Sequence, residues 1–151
     1  MGTGPAMGDH PSFACAFGQG ALPEAMLAGV REALLDERRA EATYDAFSLR
    51  FGQLFPRLEW AEGRHADLLT KLLSAHGHEA PAGAATPPTE AGSLVDACAL
   101  ALQGERANVA MYDRLLAATP AEDVRCVYEH LRMVSADRHI PALERCSGAP
   151  R

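Results

Sequence analysis

Glu37-Arg38-Arg39-Ala40-Glu41-Ala42-Thr43-Tyr44-Asp45 and Glu105-Arg106-Ala107-Asn108-Val109-Ala110-Met111-Tyr112-Asp113 are two copies of one pattern, a Glu-Arg pair with Tyr-Asp at the same distance beyond it. Each copy is followed, one apparent helix later, by Arg-His, at Arg64-His65 and at Arg138-His139. In each half, then, a glutamate on an otherwise apolar helix face precedes a histidine on the next helix. Helical bundles gather carboxylates and imidazoles around metal in their cores in this way.

Working outward from these stretches, apolar residues recur at helical spacing. A first helix is expected from Pro23, a residue suited to an opening turn, to about Arg50, with Val30, Ala33, Leu34, Glu37, Ala40, Tyr44 and Phe51 on one face. A second, from about Arg57 to Ala75, turns Leu58, Ala61, Glu62, His65, Leu69 and Leu72 inward. Residues 77–92 switch to Gly, Ala, Pro and Thr, and Pro81, Pro87 and Pro88 rule out a helix there. A third helix opens at Ser93 with Asp96 placed as in a capping box. Its inward face carries Cys98, Ala101, Leu102, Glu105, Asn108, Tyr112 and Leu116. Thr119-Pro120-Ala121-Glu122 reads as a hydroxyl cap, first-turn proline and third-position glutamate opening a fourth helix. Tyr128, Leu131, Arg132, Ser135, His139, Leu143 and Cys146 form its stripe, and Pro141 is expected to kink it just after His139. Two short turns make two antiparallel hairpins, and the long linker between them is able to cross the length of the bundle. The expected fold is all-α, a four-helix bundle of two hairpins joined by one long crossover. Residues 1–22 read as a flexible or loosely docked lead and 23–147 as the bundle.

Composition narrows the function classes. A chain of 151 residues with 48% hydrophobic but only 6% aromatic residues is one helical domain with a sizeable core. A formal charge of -6 without a basic run argues against a nucleic-acid partner. No apolar stretch approaches the roughly 20 residues of a membrane span. The N-terminal residues lack signal-peptide order, so a cytoplasmic location is expected. Cys15, Cys98, Cys126 and Cys146 show no CxxC spacing and read as three small apolar helix residues and one tail thiol. His10 and Cys15 lie among Gly and Pro residues and read as part of a mobile segment rather than a metal site.

A carboxylate moved into a core loses several kcal/mol of solvation unless it is paired, protonated or bound to a cation. Glu37, Glu62 and Glu105 fall mid-stripe on three different helices. Glu62 and His65 stand at i and i+3 and reach one point from one face. A lone Glu-x-x-His recurs by chance, and a lone buried histidine is more often hydrogen-bonded core than ligand. Here the pair is repeated at matched spacing in two halves, and that conjunction carries the metal reading. Carboxylate oxygen with imidazole nitrogen suits iron or manganese rather than a structural zinc cage. Tyr44 and Tyr112 are candidates to hydrogen-bond a ligand carboxylate, with ordinary packing as the alternative. Arg132, two turns before His139, is a candidate to offset charge at the centre, with snorkelling to water as the alternative.

The pattern Glu37-x-x-Ala40-x-x-x-Tyr44 with Glu62-x-x-His65 resembles rubrerythrin and other ferritin-like proteins. Leu34 to Cys146 is more closely similar to a group of uncharacterised bacterial ferritin-like domain proteins. Asp36-Glu37-x-x-Ala40-x-Ala42-Thr43-Tyr44, Ala61-Glu62-x-x-His65, Tyr112-Asp113-Arg114-Leu115-Leu116 and Ser135-x-x-Arg138-His139-x-Pro141-Ala142 carry that likeness. The resemblance implies metal ligands at Glu37, Glu62, His65, Glu105 and His139. It departs at the fourth helix, where Ala136 stands in place of the glutamate of a second Glu-x-x-His.

The resemblance implies a non-haem iron centre of one or two ions, with manganese as the alternative metal, reacting with oxygen or peroxide as a ferroxidase, peroxidase or oxidase. Without the paired-cysteine module of rubrerythrins, turnover is expected to need an external electron donor. A homodimer is the expected assembly, with no face singled out. The competing reading is a non-catalytic helical interaction module with a degenerate or structural metal site, and the missing glutamate favours it.

Overall fold

The computed structural model describes residues 15–83 and 90–148, and among them every regular element is helical. Helix α1 spans Glu24–Phe51, α2 Phe55–Ala75, α3 Leu94–Ala117 and α4 Glu122–Val134. One turn of π-helix, Ser135–His139, then leads into α5, Ile140–Ser147.

The helix ends follow local chemistry. Pro23 precedes α1, and Gly52 closes it at φ 61, a left-handed conformation that glycine adopts without steric cost. Helix α2 opens at Phe55-Pro56, two residues before the expected Arg57, because proline suits a first turn. Ser93 caps α3 by accepting from the Asp96 amide at 3.1 Å. The expected Thr119 cap of α4 is not formed. Thr119 instead donates back to the Leu115 carbonyl at 2.7 Å, closing the end of α3, and Ala121 precedes α4 without a side-chain cap.

Two buried hydrogen bonds fix the topology. Tyr44 of α1 donates to Glu105 of α3, and Tyr112 of α3 donates to Glu37 of α1, each at 2.6 Å. Ascending α1 from 37 to 44 therefore descends α3 from 112 to 105, so these helices are antiparallel. The short turn at 52–54 makes α2 antiparallel to α1 as well. Helices α2 and α3 consequently run parallel, and the linker has to travel the length of the bundle. Its described ends lie against α1, where Arg38 donates to the Pro81 carbonyl at 2.6 Å and Arg50 to the Ala91 carbonyl at 2.5 Å. The expected crossover is the observed one.

The core falls into two apolar halves. One gathers Val30, Leu34, Leu69, Leu72, Tyr112, Val127, Tyr128 and Leu131, and the other Tyr44, Phe47, Phe55, Leu58, Cys98, Leu102 and Leu143.

The four cysteines depart from the thiol reading. Cys15 pairs with Cys126 and Cys98 with Cys146, at Cα separations of 5.8 and 5.9 Å. Sequence spacing carries no signal for either pair, because each joins residues distant along the chain. Residues 15–22 of the lead are docked on the bundle. Besides the Cys15 bond, the Gly18 amide donates to Asp123 at 3.0 Å and the Leu22 amide to His78 at 3.0 Å. His76 meets an acceptor at each ring nitrogen, the Gly20 carbonyl at 2.7 Å and Asp123 at 2.6 Å, an arrangement an imidazolium satisfies. The readings of His10 and of the remainder of the lead fall on residues 1–14, outside the described residues.

Asp123 is the anchor of this lead, accepting from both Gly18 and His76. In Asp123→Ala, hydrogen exchange at the Gly18 amide is expected to accelerate by roughly tenfold or more, the worth of one charge-assisted hydrogen bond. Amides inside α3 should keep their protection, as read by exchange mass spectrometry.

Candidate metal centre

Between the two apolar halves lies a layer of buried polar side chains. Glu37 comes from α1, Glu62 and His65 from α2, Glu105 from α3 and His139 from the π-turn, and none is more than 8% exposed. They form two triads that share one member. Glu37, Glu62 and His65 offer ligand atoms within 4.8 Å of one another, and so do Glu62, Glu105 and His139. Glu62 stands between the two groups. All five sequence-predicted candidates therefore meet at one place.

The contacts are close on both sides of Glu62. Its Oε1 lies 3.7 Å from His65 Nδ1 and 3.1 Å from His139 Nδ1. His65 Nδ1 is 3.8 Å from Glu37 Oε2, and His139 Nδ1 is 3.0 Å from Glu105 Oε1. The two imidazoles stack with centroids 6.0 Å apart. Each outer carboxylate is held from behind by the tyrosine of the other half, Glu37 by Tyr112 and Glu105 by Tyr44. Asp36 of α1 braces the same seam by accepting from Arg39 and Asn108, each at 2.8 Å.

Two residues that the sequence analysis did not assign to the site border it. Ser135, 2% exposed, donates its hydroxyl to Glu105 Oε2. His130 of α4 sets its ring edge-on to His65 with centroids 6.4 Å apart. Ser135 was visible as a stripe residue, but His130 carried no signal.

Arg132 requires a correction. Its guanidinium bonds Asp113 at 2.5 Å with the side chain 39% exposed, away from the centre. The seven-residue count from His139 assumed an unbroken α-helix. The π-turn inserts one residue into that count, so the inward positions before His139 are Ser135 and Leu131. The same shift makes Ala136 half-buried and Asp137 exposed, so neither supplies a carboxylate to the layer.

This architecture is shared with solved structures. A hypothetical protein of Methanococcus jannaschii superposes with a TM-score of 0.79 at 20% identity, over 90% of this chain and 89% of its own. A conserved hypothetical protein of Mycobacterium tuberculosis gives 0.72 at 22%, over 83% and 98%. A ferritin-like, diiron-carboxylate protein of Bacillus anthracis gives 0.67 at 18%, over 82% and 96%. The chain has the ferritin-like fold. No family model matches the sequence, and no curated protein matches it significantly.

The donor set of this ferritin-like bundle fits a cation. Three carboxylates and two imidazoles offer only oxygen and nitrogen, and Glu37 Oε2 is buried with no hydrogen-bond partner among the described residues. Protons otherwise do the neutralising. Burial, with Glu62 close by, pushes the Glu37 carboxyl up to about 7. Burial alone would lower both histidines, but Glu62 with Glu37 raises His65 to about 10, and Glu105 with Glu62 raises His139 to about 9. Burial would raise Glu62, yet hydrogen bonding with Glu37, the charge of His65 and hydrogen bonding with His139 and His65 hold it at about 2.

The signs predict a pH profile. Between its ordinary 4.5 and about 7, Glu37 holds its proton better folded than unfolded, and so do His65 and His139 from 6.5 to about 10 and 9. The metal-free protein should therefore lose stability as pH rises through these windows. Glu62 acts oppositely, with a contribution present above 4.5 and lost as pH falls through about 2. Metal has to displace these protons, so its stabilising effect should grow with pH. Melting curves in chelator and in manganese across this range check both slopes, and a flat metal-free profile would contradict the proton assignment.

Proposed function

We propose that this ferritin-like bundle binds iron, one or two ions, through Glu37, Glu62, His65, Glu105 and His139, and reacts there with oxygen or peroxide. Manganese is the alternative metal for the same donors. The observation that carries the reading is the pair of buried triads sharing Glu62, with Glu37 Oε2 buried, without a hydrogen-bond partner among the described residues and 3.8 Å from His65 Nδ1. A carboxylate shared between two triads is placed to bridge two cations, whereas a core built only for packing gains nothing by burying three acidic side chains. The fold's likeness to a protein described as diiron-carboxylate supports the same conclusion.

Bound iron would supply the electrons that the oxidant accepts. The chain's own residues do the rest. Tyr44 and Tyr112 orient the outer carboxylates by donating to one oxygen of each. Ser135 holds the second oxygen of Glu105 from the π-turn. Leu34, Leu69, Leu131 and Tyr128, fully buried, exclude bulk water from one side, and Phe55 and Leu143 do so from the other. On metal entry the protons on His65, His139 and Glu37 would leave the polar layer, since the groups that carry them would become ligands. Repeated turnover draws electrons from an external donor.

The expected cytoplasmic location loses its footing with the thiol reading, because two disulfides suit an oxidising compartment better. Among the described residues no helix is long and apolar enough to cross a membrane.

Oxygen consumption after ferrous iron addition tests the reading, with bound metal counted by elemental analysis. Glu62→Ala should abolish uptake and binding at both triads, since both include Glu62. Equal rates in Glu62→Ala and the parent chain would leave a non-catalytic bundle. Tyr112→Phe should keep the fold but weaken metal binding by about 10–100-fold, the usual effect of removing a ligand's hydrogen-bond partner.

A further inference from the structure

The two triads are not held by equivalent scaffolding. Glu37, Glu62 and His65 sit inside α1 and α2, two long uninterrupted helices joined by a tight turn. Of the second triad, Glu105 sits mid-way along α3, but His139 closes the π-turn between α4 and α5. A π-turn is rare and occurs mostly as a single turn inside an α-helix, frequently at functional sites. Pro141, in the first turn of α5, removes a backbone donor. The direction of α5, and with it the placement of His139, therefore depends on the packing of α5 against α3 as well as on α4.

The disulfide Cys98–Cys146 adds a covalent constraint to that packing. Cys98 lies seven residues before Glu105 on α3, and Cys146 seven residues after His139 on α5. Seven residues are two helical turns, about 10 Å of rise, so each cysteine shares a helix face with its ligand. The disulfide and the Glu105–His139 contact are thus two rungs between the same pair of segments. Leu143 lies between those rungs on α5, and Arg106, one residue beyond Glu105, pairs with Glu144 at 3.4 Å. The other disulfide, Cys15–Cys126, ties the lead to α4.

We propose that Cys98 and Cys146 are positioning residues for the Glu62–Glu105–His139 subsite, and that reducing their disulfide lowers metal affinity there while sparing the Glu37–Glu62–His65 subsite. The proposal rests on the metal-binding reading above. Cys98 is fully buried and Cys146 half-buried, so a reductant meets the Cys146 sulfur first. A dithiol attacks that sulfur as thiolate, the S–S bond breaks and Cys98 leaves as thiolate and takes up a proton. The second thiol of the reagent then closes on the mixed disulfide and frees Cys146. Two electrons and two protons pass from the dithiol to the protein, and the reagent ends as its own disulfide. Leu143 and Arg106–Glu144 remain to hold α5, so reduction loosens the rung without melting the helix.

The test is a cobalt(II) titration of the full chain carrying Cys15→Ser and Cys126→Ser, so that one disulfide remains to be reduced. Ligand-field bands are assigned to the two subsites with His65→Ala and His139→Ala. Dithiol treatment should weaken cobalt binding at the second subsite by about tenfold or more, comparable with loss of a ligand's supporting partner. The first subsite should be unchanged, and reoxidation should restore the second. Cys98→Ala with Cys146→Ala should reproduce the reduced state without reagent. Equal binding before and after reduction, or parallel loss at both subsites, would overturn the positioning role. Failure of cobalt to bind the oxidised protein at all would instead remove the metal-binding reading and this inference with it.

Discussion

The structure depends on how acidic side chains are satisfied away from water. A buried carboxylate keeps its place only if its oxygens find donors or cations, and here each half of the chain supplies the donor for the other. Glu37 takes its hydrogen bond from Tyr112 and Glu105 takes its own from Tyr44. Because glutamate and tyrosine are seven residues apart in both copies, both bonds form together only when α1 and α3 run antiparallel in one register. A slip of one turn would leave two buried carboxylates and two phenols unpaired. Removing one partner of a hydrogen bond to a charged group costs about 1.5–3 kcal/mol, and a slip loses two at once. Helix direction, the parallel course of α2 and α3 and the long linker all follow from that exchange.

The same constraint shapes the core around it. Apolar side chains alone would close the bundle from end to end, but the polar layer divides them into two clusters. Residues near the layer are small where helices approach, with Ala33, Ala40 and Ala101 almost fully buried. At Gly104 a Cβ would press within 3.3 Å of the Arg39 guanidinium, which lies across that face. Arg39 is thereby kept against Asp36, and Asp36 against Asn108, so α1 and α3 are laced outside the layer as well as within it. These residues stiffen the helices that present Glu37 and Glu105.

Legibility in the sequence tracked the regularity of the backbone. Along α1, α2 and α3 an apolar stripe at helical spacing placed Glu37, Glu62, His65 and Glu105 inward, and the helices are long enough for the count to hold. Along α4 the count failed at one residue. The π-turn at Ser135–His139 adds about a quarter-turn, which moves Arg132 to the surface beside Asp113 while Ser135 stays inward. Pro141 announced a disturbance near His139, but a proline does not reveal whether a helix bends, breaks or takes in an extra residue. Thr119 was misread because a hydroxyl between two helices can serve either, and it serves the earlier one. The disulfides lay beyond reach for another reason. Their partners are joined by tertiary packing, which no spacing rule encodes.

The extra residue in the fourth helix also explains why the polar layer is uneven. An unbroken α-helix would turn position 136 toward the layer, where a glutamate would complete a second Glu-x-x-His. With the π-turn, position 135 faces inward instead, and it carries a hydroxyl that donates to Glu105. A neutral donor there relieves Glu105, whereas a fourth buried carboxylate would crowd three that already lie within a few ångströms of one another. The backbone irregularity and the absence of acid at 136 are therefore two sides of one adjustment. Ser135 answers from α4 what Tyr44 answers from α1, and Glu105 becomes the most heavily hydrogen-bonded of the three glutamates. Glu37, with one oxygen bonded to Tyr112 and the other without a hydrogen-bond partner among the described residues, is left as the member most open to a cation.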